Sequence, residues 1–476
     1  MDGTAQAKVR RRNRNACDPC RARKVKCEYD GPVCRSCVAL QIDCTKKRPR
    51  KKRGPLNRYV ETERQAETAS MAPSPASPST CGLDQLGPAE VIDILIDDWF
   101  ERIHSVAPIL HRASFLRRLA AGDATRDREF FSLVVSICAA TVASLKRKSS
   151  TYCGTVTVER CLELAERNDA NRPKNGLTLE FCQTKYNFSI ALGSERGLDD
   201  PYSSLLMAEA LAGVKSLIYH QLDQMDFVKQ QLLKRLYWLI FAAECTAGIH
   251  GRPYLGMLSP HDYVEALKPL EITDEELDPL NEAQLDSWHG DRTTYIPGLN
   301  HLTNVFMLWY KCHQEAWHSP ERLQEYMSLV NSALDYLPPE LRWRGGLSRP
   351  PQSNFGTDVQ TVNLYITQIH VRSSLLHQMD HLARERGASA TSAEITTEQN
   401  RVVDDMLAIV YQMPEDTLEA NGHSLIPKLR DIGLTLLHED ADPANALVNL
   451  DRLLKKLDRL DYRPEGQFGQ TSPASV

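Results

Sequence analysis

The sequence predicts a small domain held together by metal, a large all-α domain, and a disordered linker joining the two. Three observations carry this: six of the thirteen cysteines fall between residues 17 and 44, the stretch after them is rich in Pro, Ser and Ala, and helical spacing of apolar residues begins near Val91. Charge divides the chain in the same way. Residues 1–60 hold 18 Lys and Arg against 5 Asp and Glu, whereas the rest holds 39 against 57. A strongly basic end beside an acidic body implies that the small end meets a polyanion while the large end does something else.

In chain order, residues 1–16 (MDGTAQAKVRRRNRNA) are a basic arm without apolar periodicity, expected to be disordered until a partner binds. Residues 17–53 carry the cysteines and end in the basic run KKRPRKKR. Residues 54–90, with ASMAPSPASPST, hold nothing expected to build a core and read as a linker. No heptad repeat is sustained there, which gives a coiled-coil homodimer little support and leaves monomeric binding open.

Residues 91–462 read as one all-helical domain. Ile92, Leu95, Ile96, Trp99 and Ile103 form a core-facing stripe, and Phe130–Leu145 is apolar all round, as a central buried helix would be. Gln230–Ile249 is a second long apolar helix, stopped by Gly251 and Pro253. Val362, Ile366, Ile369, Ser373 and Leu376 make a third stripe, and Leu447, Leu450, Leu454, Leu457 and Leu460 predict a last amphipathic helix. Irregular loops are expected near 271–291 and 340–358, and a disordered tail over 463–476.

Composition also sets exclusions. The longest weakly polar run, Phe130–Leu145, is too short and too polar to make a good membrane span. The amino terminus has charge but no apolar segment behind it, so no secretory signal is expected and the chain should stay inside the cell. Cysteines grouped locally in a reducing compartment mean metal before disulfide. The body contains no HExxH, GxSxG, Walker loop or GxGxxG, and its histidines are dispersed, so no enzyme is expected. Cys138, Cys153, Cys161, Cys182, Cys245 and Cys312 lack metal spacing and read as small buried hydrophobes.

The cysteines stand at Cys17, Cys20, Cys27, Cys34, Cys37 and Cys44, spaced C-x2-C-x6-C-x6-C-x2-C-x6-C: a unit repeated at an offset of 17. One such unit supplies three thiolates, and tetrahedral zinc takes four ligands. Two zinc ions therefore need two bridging sulfurs, naturally one from each half. A RING or LIM-type site usually mixes in histidine, but the nearest is His104, and a four-cysteine ribbon would leave two cysteines idle. So short a segment buries little apolar surface, hence metal should supply most of its folding free energy.

The halves differ in charge. Between second and third cysteines the first half has Arg21, Ala22, Arg23, Lys24, Val25 and Lys26; the second has Val38, Ala39, Leu40, Gln41, Ile42 and Asp43. Only the first can face phosphates. Asp18 as N-cap and Pro19 at the first helical position predict a helix whose amino end and cations enter a major groove, while the apolar second helix packs against it. Lys46, Lys47, Arg48, Arg50, Lys51, Lys52 and Arg53 would add salt-sensitive phosphate contacts and a nuclear-import signal.

With these residues in place, the segment resembles the DNA-binding domain of fungal binuclear zinc cluster transcription factors, down to Pro32 two residues before the fourth cysteine. The resemblance implies that Cys17, Cys20, Cys27 and Cys34 hold one zinc and Cys17, Cys34, Cys37 and Cys44 the other. It implies that Lys24 reads a CGG-like triplet in double-stranded DNA, with Arg21, Arg23 and Lys26 on phosphates. Lysine donating to guanine O6 and N7 agrees with the groove code. KKRGPLNRYVE resembles a linker found in one branch of these proteins.

WFERIHSVAPILHRASFLRRL (99–119), KRLYWLIFAAECTAGIHGRP (234–253) and NLYITQIHVRSSLL (363–376) resemble the fungal-specific helical regulatory domain that accompanies the cluster. The whole then implies a nuclear, pathway- or gene-cluster-specific activator of RNA polymerase II genes that works with transcriptional co-regulators; no effector ligand is legible. Tyr237, Trp238 and Phe241 read as core packing, and Arg252 as stacking on an aromatic or capping a helix. LEITDEELDPLNEAQLDSW (270–288) has the composition of an activation segment and equally of an exposed loop. The rival function is a zinc-dependent protein-binding co-regulator or scaffold without direct base readout.

Overall fold

The computed structural model describes residues 16–29, 32–46, 82–152, 154–168, 176–252, 256–257, 264–277, 294–345, 350, 353–387, 389–437 and 443–460. The chain divides into two compact units, residues 1–79 and 80–476. The small unit contains helices α1 (Asp18–Ala22) and α2 (Arg35–Ala39) and one isolated antiparallel bridge between Tyr29 and Cys34. Among its described residues the buried ones are Cys17, Cys20, Cys34 and Cys37, so there sulfur takes the place of an apolar core.

The large unit is helical throughout its described residues: α3 (Ala89–Asp98), α4 (Arg112–Ala120), α5 (Arg128–Ser144), α6 (Val158–Arg167), α7 (Leu179–Arg196), α8 (Pro201–Gln221) and α9 (Phe227–Ile249) come first. Then follow α10 (Ile296–Glu315), α11 (Pro320–Ser332), α12 (Phe355–Glu385), α13 (Ser389–Gln412), α14 (Glu415–Ala420), α15 (Gly422–Leu434) and α16 (Pro443–Leu460). Local chemistry starts many of them. Asp127, Thr157, Thr178, Asp200 and Asp226 each accept backbone N–H bonds from the first turn that follows, and Asn354 and Thr357 cap α12 reciprocally. Past α9 the chain turns through Gly251 at φ 67°, which a side chain would resist.

Two groups of helices share the core. α5 packs on α3, α6 and α7, with α8 against α7; α12 packs on α10, α11, α13, α14 and α15, and α9 touches α7, α8 and α10. α5 is buried on every face, as its composition requires, and so is the middle of α12. The buried polar residues of α12 reach across to other elements: Gln360 Nε2 donates to Ser105 O (2.9 Å) and Tyr295 O (2.7 Å), and Gln368 Nε2 to Val330 O (2.7 Å). Among the described residues no helix is long and apolar enough to cross a membrane.

Several expectations change. The core begins at Leu86, fully buried inside the stretch read as linker, because a 3-10 turn over Leu83–Gln85 delivers that one leucine against the body. In α16 the buried face is Asn449, Leu453, Lys456, Leu457 and Leu460, whereas Leu447 and Leu454 are exposed. The Lys456 stem substitutes for a leucine, its ammonium group emerging near Glu415 at 3.8 Å. Tyr237, Trp238 and Phe241 keep to the core packing expected of them, edge-to-face and buried, with Trp238 Nε1 donating to Leu267 O at 2.8 Å. Arg252 instead forks onto both carboxylate oxygens of Asp199, at 2.6 and 3.1 Å.

The acidic stretch starts out docked. Glu271 accepts from Asn300 Nδ2 (2.8 Å), and Asp274 opens a single helical turn, Asp274–Leu277, against buried Arg235 (3.0 Å). Residues 278–288 of the stretch lie outside the described residues.

Candidate metal centre and nucleic-acid interface

The duplication seen in the spacing is repeated in the backbone. Cys17 and Cys34 are the N-caps of α1 and α2, both extended (φ −63°, ψ 161°; φ −76°, ψ 148°). Arg21 N donates to Cys17 O and Val38 N to Cys34 O; Val25 N donates to Cys20 O and Ile42 N to Cys37 O, both at 3.1 Å. Lys24 (φ 58°) and Gln41 (φ 54°) are the described non-glycine residues with left-handed backbone, again 17 apart. Each half is therefore the same helix, the same cap and the same reversal after it.

This frame gathers the sulfurs. The Sγ atoms of Cys17, Cys20, Cys27 and Cys34 lie within 4.8 Å of one another, and so do those of Cys17, Cys34, Cys37 and Cys44. Cys17 and Cys34 belong to both groups and stand 3.7 Å apart; Cys17 is 3.5 Å from Cys37 and 3.8 Å from Cys27, and Cys20 is 3.5 Å from Cys34. Zinc–sulfur bonds of about 2.3 Å arranged tetrahedrally give an edge of about 3.8 Å. The sulfurs thus already stand near the corners of two tetrahedra sharing an edge, and the residues present fit two zinc ions.

Electrostatics explain why a cation belongs there. Burial drives the Cys17 thiol far above its ordinary range and pushes Cys37 up to about 12. Cys34, against the same burial, is held down to about 6 by the Cys37 backbone N–H and by the thiols of Cys37, Cys20 and Cys17. Cys17 and Cys37 do not ionise by themselves near neutral pH; divalent ions that displace their protons would resolve the conflict, and binding would release those protons.

A family model described as the fungal Zn(2)-Cys(6) binuclear cluster domain matches residues 15–53. These residues are a fungal binuclear zinc cluster domain. The chain is 24% identical over 280 residues to the maltose fermentation regulatory protein MAL13 of Saccharomyces cerevisiae, covering 56% of this chain and 55% of that one. It is 42% identical over 57 residues to the transcription regulator galc of Aspergillus niger, 11% of this chain and 7% of the relative. With the arabinolytic transcriptional activator araR of Emericella nidulans it shares 41% over 68 residues, 14% and 8% of the two chains. The chain spans about half the length of the first of these relatives. No solved structure matches it.

Within the zinc cluster domain, Arg21, Arg23, Lys24 and Lys26 are all exposed. Their placement corrects the expected helix. Cys17 is the N-cap, Asp18 is already helical, and α1 stops at Ala22, so Arg23, Lys24 and Lys26 follow the carboxyl end rather than the amino end. Five residues exhaust the helix because the next sulfur ligand, Cys27, requires the chain to turn back at Lys24. Cations at a helix carboxyl end also meet a favourable dipole. Lys26 Nζ is 2.6 Å from Glu28 and Arg23 Nε donates to Pro19 O at 3.3 Å, while Lys24 stands at the apex of the turn.

The second half departs from expectation as well. Val38, Leu40 and Ile42 are 62%, 55% and 40% exposed, so they do not form a packed interface with α1. The sulfur core leaves no room for side chains between the two helices, and both sets point outward. Lys46 is exposed, its Nζ 4.2 Å from the centre of the Tyr29 ring. Lys47, Arg48, Arg50, Lys51, Lys52 and Arg53 lie outside the described residues. Tyr29 was not singled out from sequence. Its hydroxyl lies 3.8 Å from Cys44 Sγ, and a lone aromatic between the third and fourth cysteines is the signal that could have found it.

Proposed function

We propose that the chain is a nuclear, sequence-specific DNA-binding regulator of RNA polymerase II genes that reads a CGG-like triplet. The observation that carries this reading is the asymmetry of two identical backbone frames: one presents Arg21, Arg23, Lys24 and Lys26 to solvent, the other Val38, Leu40 and Ile42. Two zinc ions, when bound, lock the frames together. Cys17, Cys20, Cys27 and Cys34 would hold one and Cys17, Cys34, Cys37 and Cys44 the other. Lys24, at a reversal that the metal ligands on both sides fix, points its ammonium group to guanine O6 and N7, and Arg21, Arg23 and Lys26 take the flanking phosphates.

The helical body adjusts output, alone or as a homodimer, together with transcriptional co-regulators. The names of the relatives, a maltose fermentation regulator and an arabinolytic activator, support a pathway-specific activator and no enzymatic role. The exposed Val38, Leu40 and Ile42 favour one rival reading, a zinc-dependent module that binds protein without base readout.

Binding-site selection from random duplex DNA by the full chain, with and without a zinc chelator, separates the two. Enrichment of CGG-like triplets that vanishes on chelation, with single or paired sites reporting monomer or dimer, is expected. No enrichment with two zinc ions bound would transfer the module to the protein-binding reading.

A further inference from the structure

The histidines of the body are dispersed along the sequence, and the fold brings two of them to one carboxylate. His250 caps the carboxyl end of α9, His370 lies midway along α12, and Asp431 is on α15. One ligating atom from each lies within 4.8 Å of the others. His370 Nε2 is 2.7 Å from Asp431 Oδ2, and His250 Nδ1 is 3.9 Å from the same oxygen. The imidazole centroids are 5.0 Å apart. The His370 side chain is fully buried and that of His250 7% exposed, whereas Asp431 keeps 32%.

A hydrogen-bonded His–Asp pair accounts for only part of this arrangement. His370 makes the one short contact with Asp431. His250 Nδ1, the ring nitrogen nearest Asp431, is left at 3.9 Å, beyond hydrogen-bonding distance. Burying a second imidazole beside the first, with that nitrogen short of the carboxylate, costs stability unless something else engages it.

We propose that His250, His370 and Asp431 bind a divalent first-row transition metal ion of the zinc class, so that the chain takes up a third metal beyond the two of its cysteine cluster. Two imidazoles and one carboxylate are a borderline-soft ligand set of the kind that leaves one tetrahedral position to water. Metal–ligand bonds of about 2.0–2.2 Å place tetrahedral ligand atoms about 3.4 Å apart. The 2.7 Å contact must widen and the 3.9 Å contact close, each by less than an ångström. Asp431, the most exposed of the three, has the freedom to make that adjustment and the access to admit ion and water.

The neighbouring cations tolerate the ion. Arg252 is neutralised by its fork onto Asp199. Lys428 Nζ donates to Thr367 Oγ1 (2.8 Å), Ser424 Oγ (3.0 Å) and Asn363 Oδ1 (3.3 Å), and burial lowers its pKa to about 7, so it can shed its proton near neutral pH. A bound ion would pin the end of α9 to α12 and α15, three elements far apart in sequence.

The test uses the full chain. After dialysis against micromolar zinc, metal per chain is measured by emission spectroscopy, with three expected for the natural sequence and two for Asp431→Asn and for His250→Gln. Cobalt added to the two-zinc protein should give weak visible bands without the intense near-ultraviolet thiolate-to-cobalt absorption, placing it away from the cysteines. His250→Gln removes a ring that stands beyond hydrogen-bonding distance of Asp431, so retained far-ultraviolet helicity separates loss of the site from loss of the fold. Two metals in the natural chain, or a third retained by both variants, would overturn the proposal.

Discussion

Asp274→Ala tests whether the acidic stretch is part of the body. Asp274 Oδ1 lies 3.0 Å from Arg235 Nη1, and Oδ2 faces the Arg112 N–H at 3.4 Å and His104 Nε2 at 4.0 Å. The Arg235 side chain is 2% exposed. At an effective dielectric of about 20, unit charges 3.0 Å apart attract by about 5.5 kcal/mol. Desolvation offsets much of that in the intact pair, but deleting only the acid leaves a buried guanidinium uncompensated. The expected loss is about 3–5 kcal/mol, a large part of the stability of an ordinary domain. Urea denaturation followed by far-ultraviolet circular dichroism reads it, with Asp274→Ala/Arg235→Met as the second arm. The double variant should recover part of the loss, since no unpaired charge remains. A loss below about 1 kcal/mol in the single variant would refute the claim that this contact anchors residues 271–277.

Three further outcomes are expected. Because Cys34 is in both sulfur groups, Cys34→Ala should cost both zinc ions, whereas Cys27→Ala and Cys44→Ala each disrupt one group directly; metal counting by emission spectroscopy distinguishes them. Lys24→Gly relieves left-handed strain of about 1 kcal/mol and should tighten zinc binding roughly fivefold in chelator competition, while selection of CGG-like DNA weakens. Body stability should fall between about pH 6.5 and 4. His104 is lowered to about 4, chiefly by burial, so the folded state keeps it neutral while the unfolded chain takes up a proton; this stability is complete above the unfolded pKa and is lost as pH falls. Urea midpoints at pH 7 and pH 5 measure it, and His104→Gln should reduce the difference.

How far the sequence could be read depended on the range of the interaction. Cysteine spacing is local and chemically specific, and it called for two metals bridged by one sulfur from each half; the resemblance to the zinc cluster family implied the two sulfur groups the structure assembles. All-round apolarity of α5 and the stripe on α3 were equally legible, because period and burial are properties of one segment. The face of α16 was misread because leucine spacing alone does not report that Lys456 can bury its stem. Arg252 met Asp199, 53 residues away, and His250, His370 and Asp431 converge from three helices. No local pattern encodes such meetings, since they depend on how whole helices pack.

In the small unit the charge asymmetry lies on the surface and not in the frame. Its frame is set by backbone hydrogen bonds and sulfur positions that recur at an offset of 17, and the exposed side chains between second and third cysteines are not needed for that frame. Such positions are free to differ between halves without disturbing the fold. One half carries Arg21, Arg23, Lys24 and Lys26, and the other exposes Val38, Leu40 and Ile42, so the difference lies in what each half presents to solvent rather than in how it is built. Grafting Lys at Gln41, the left-handed counterpart of Lys24, would place a second ammonium group at the matching turn. If readout depends on the whole basic half and not on the turn alone, Gln41→Lys should raise non-specific, salt-sensitive affinity and leave the selected DNA sequence unchanged.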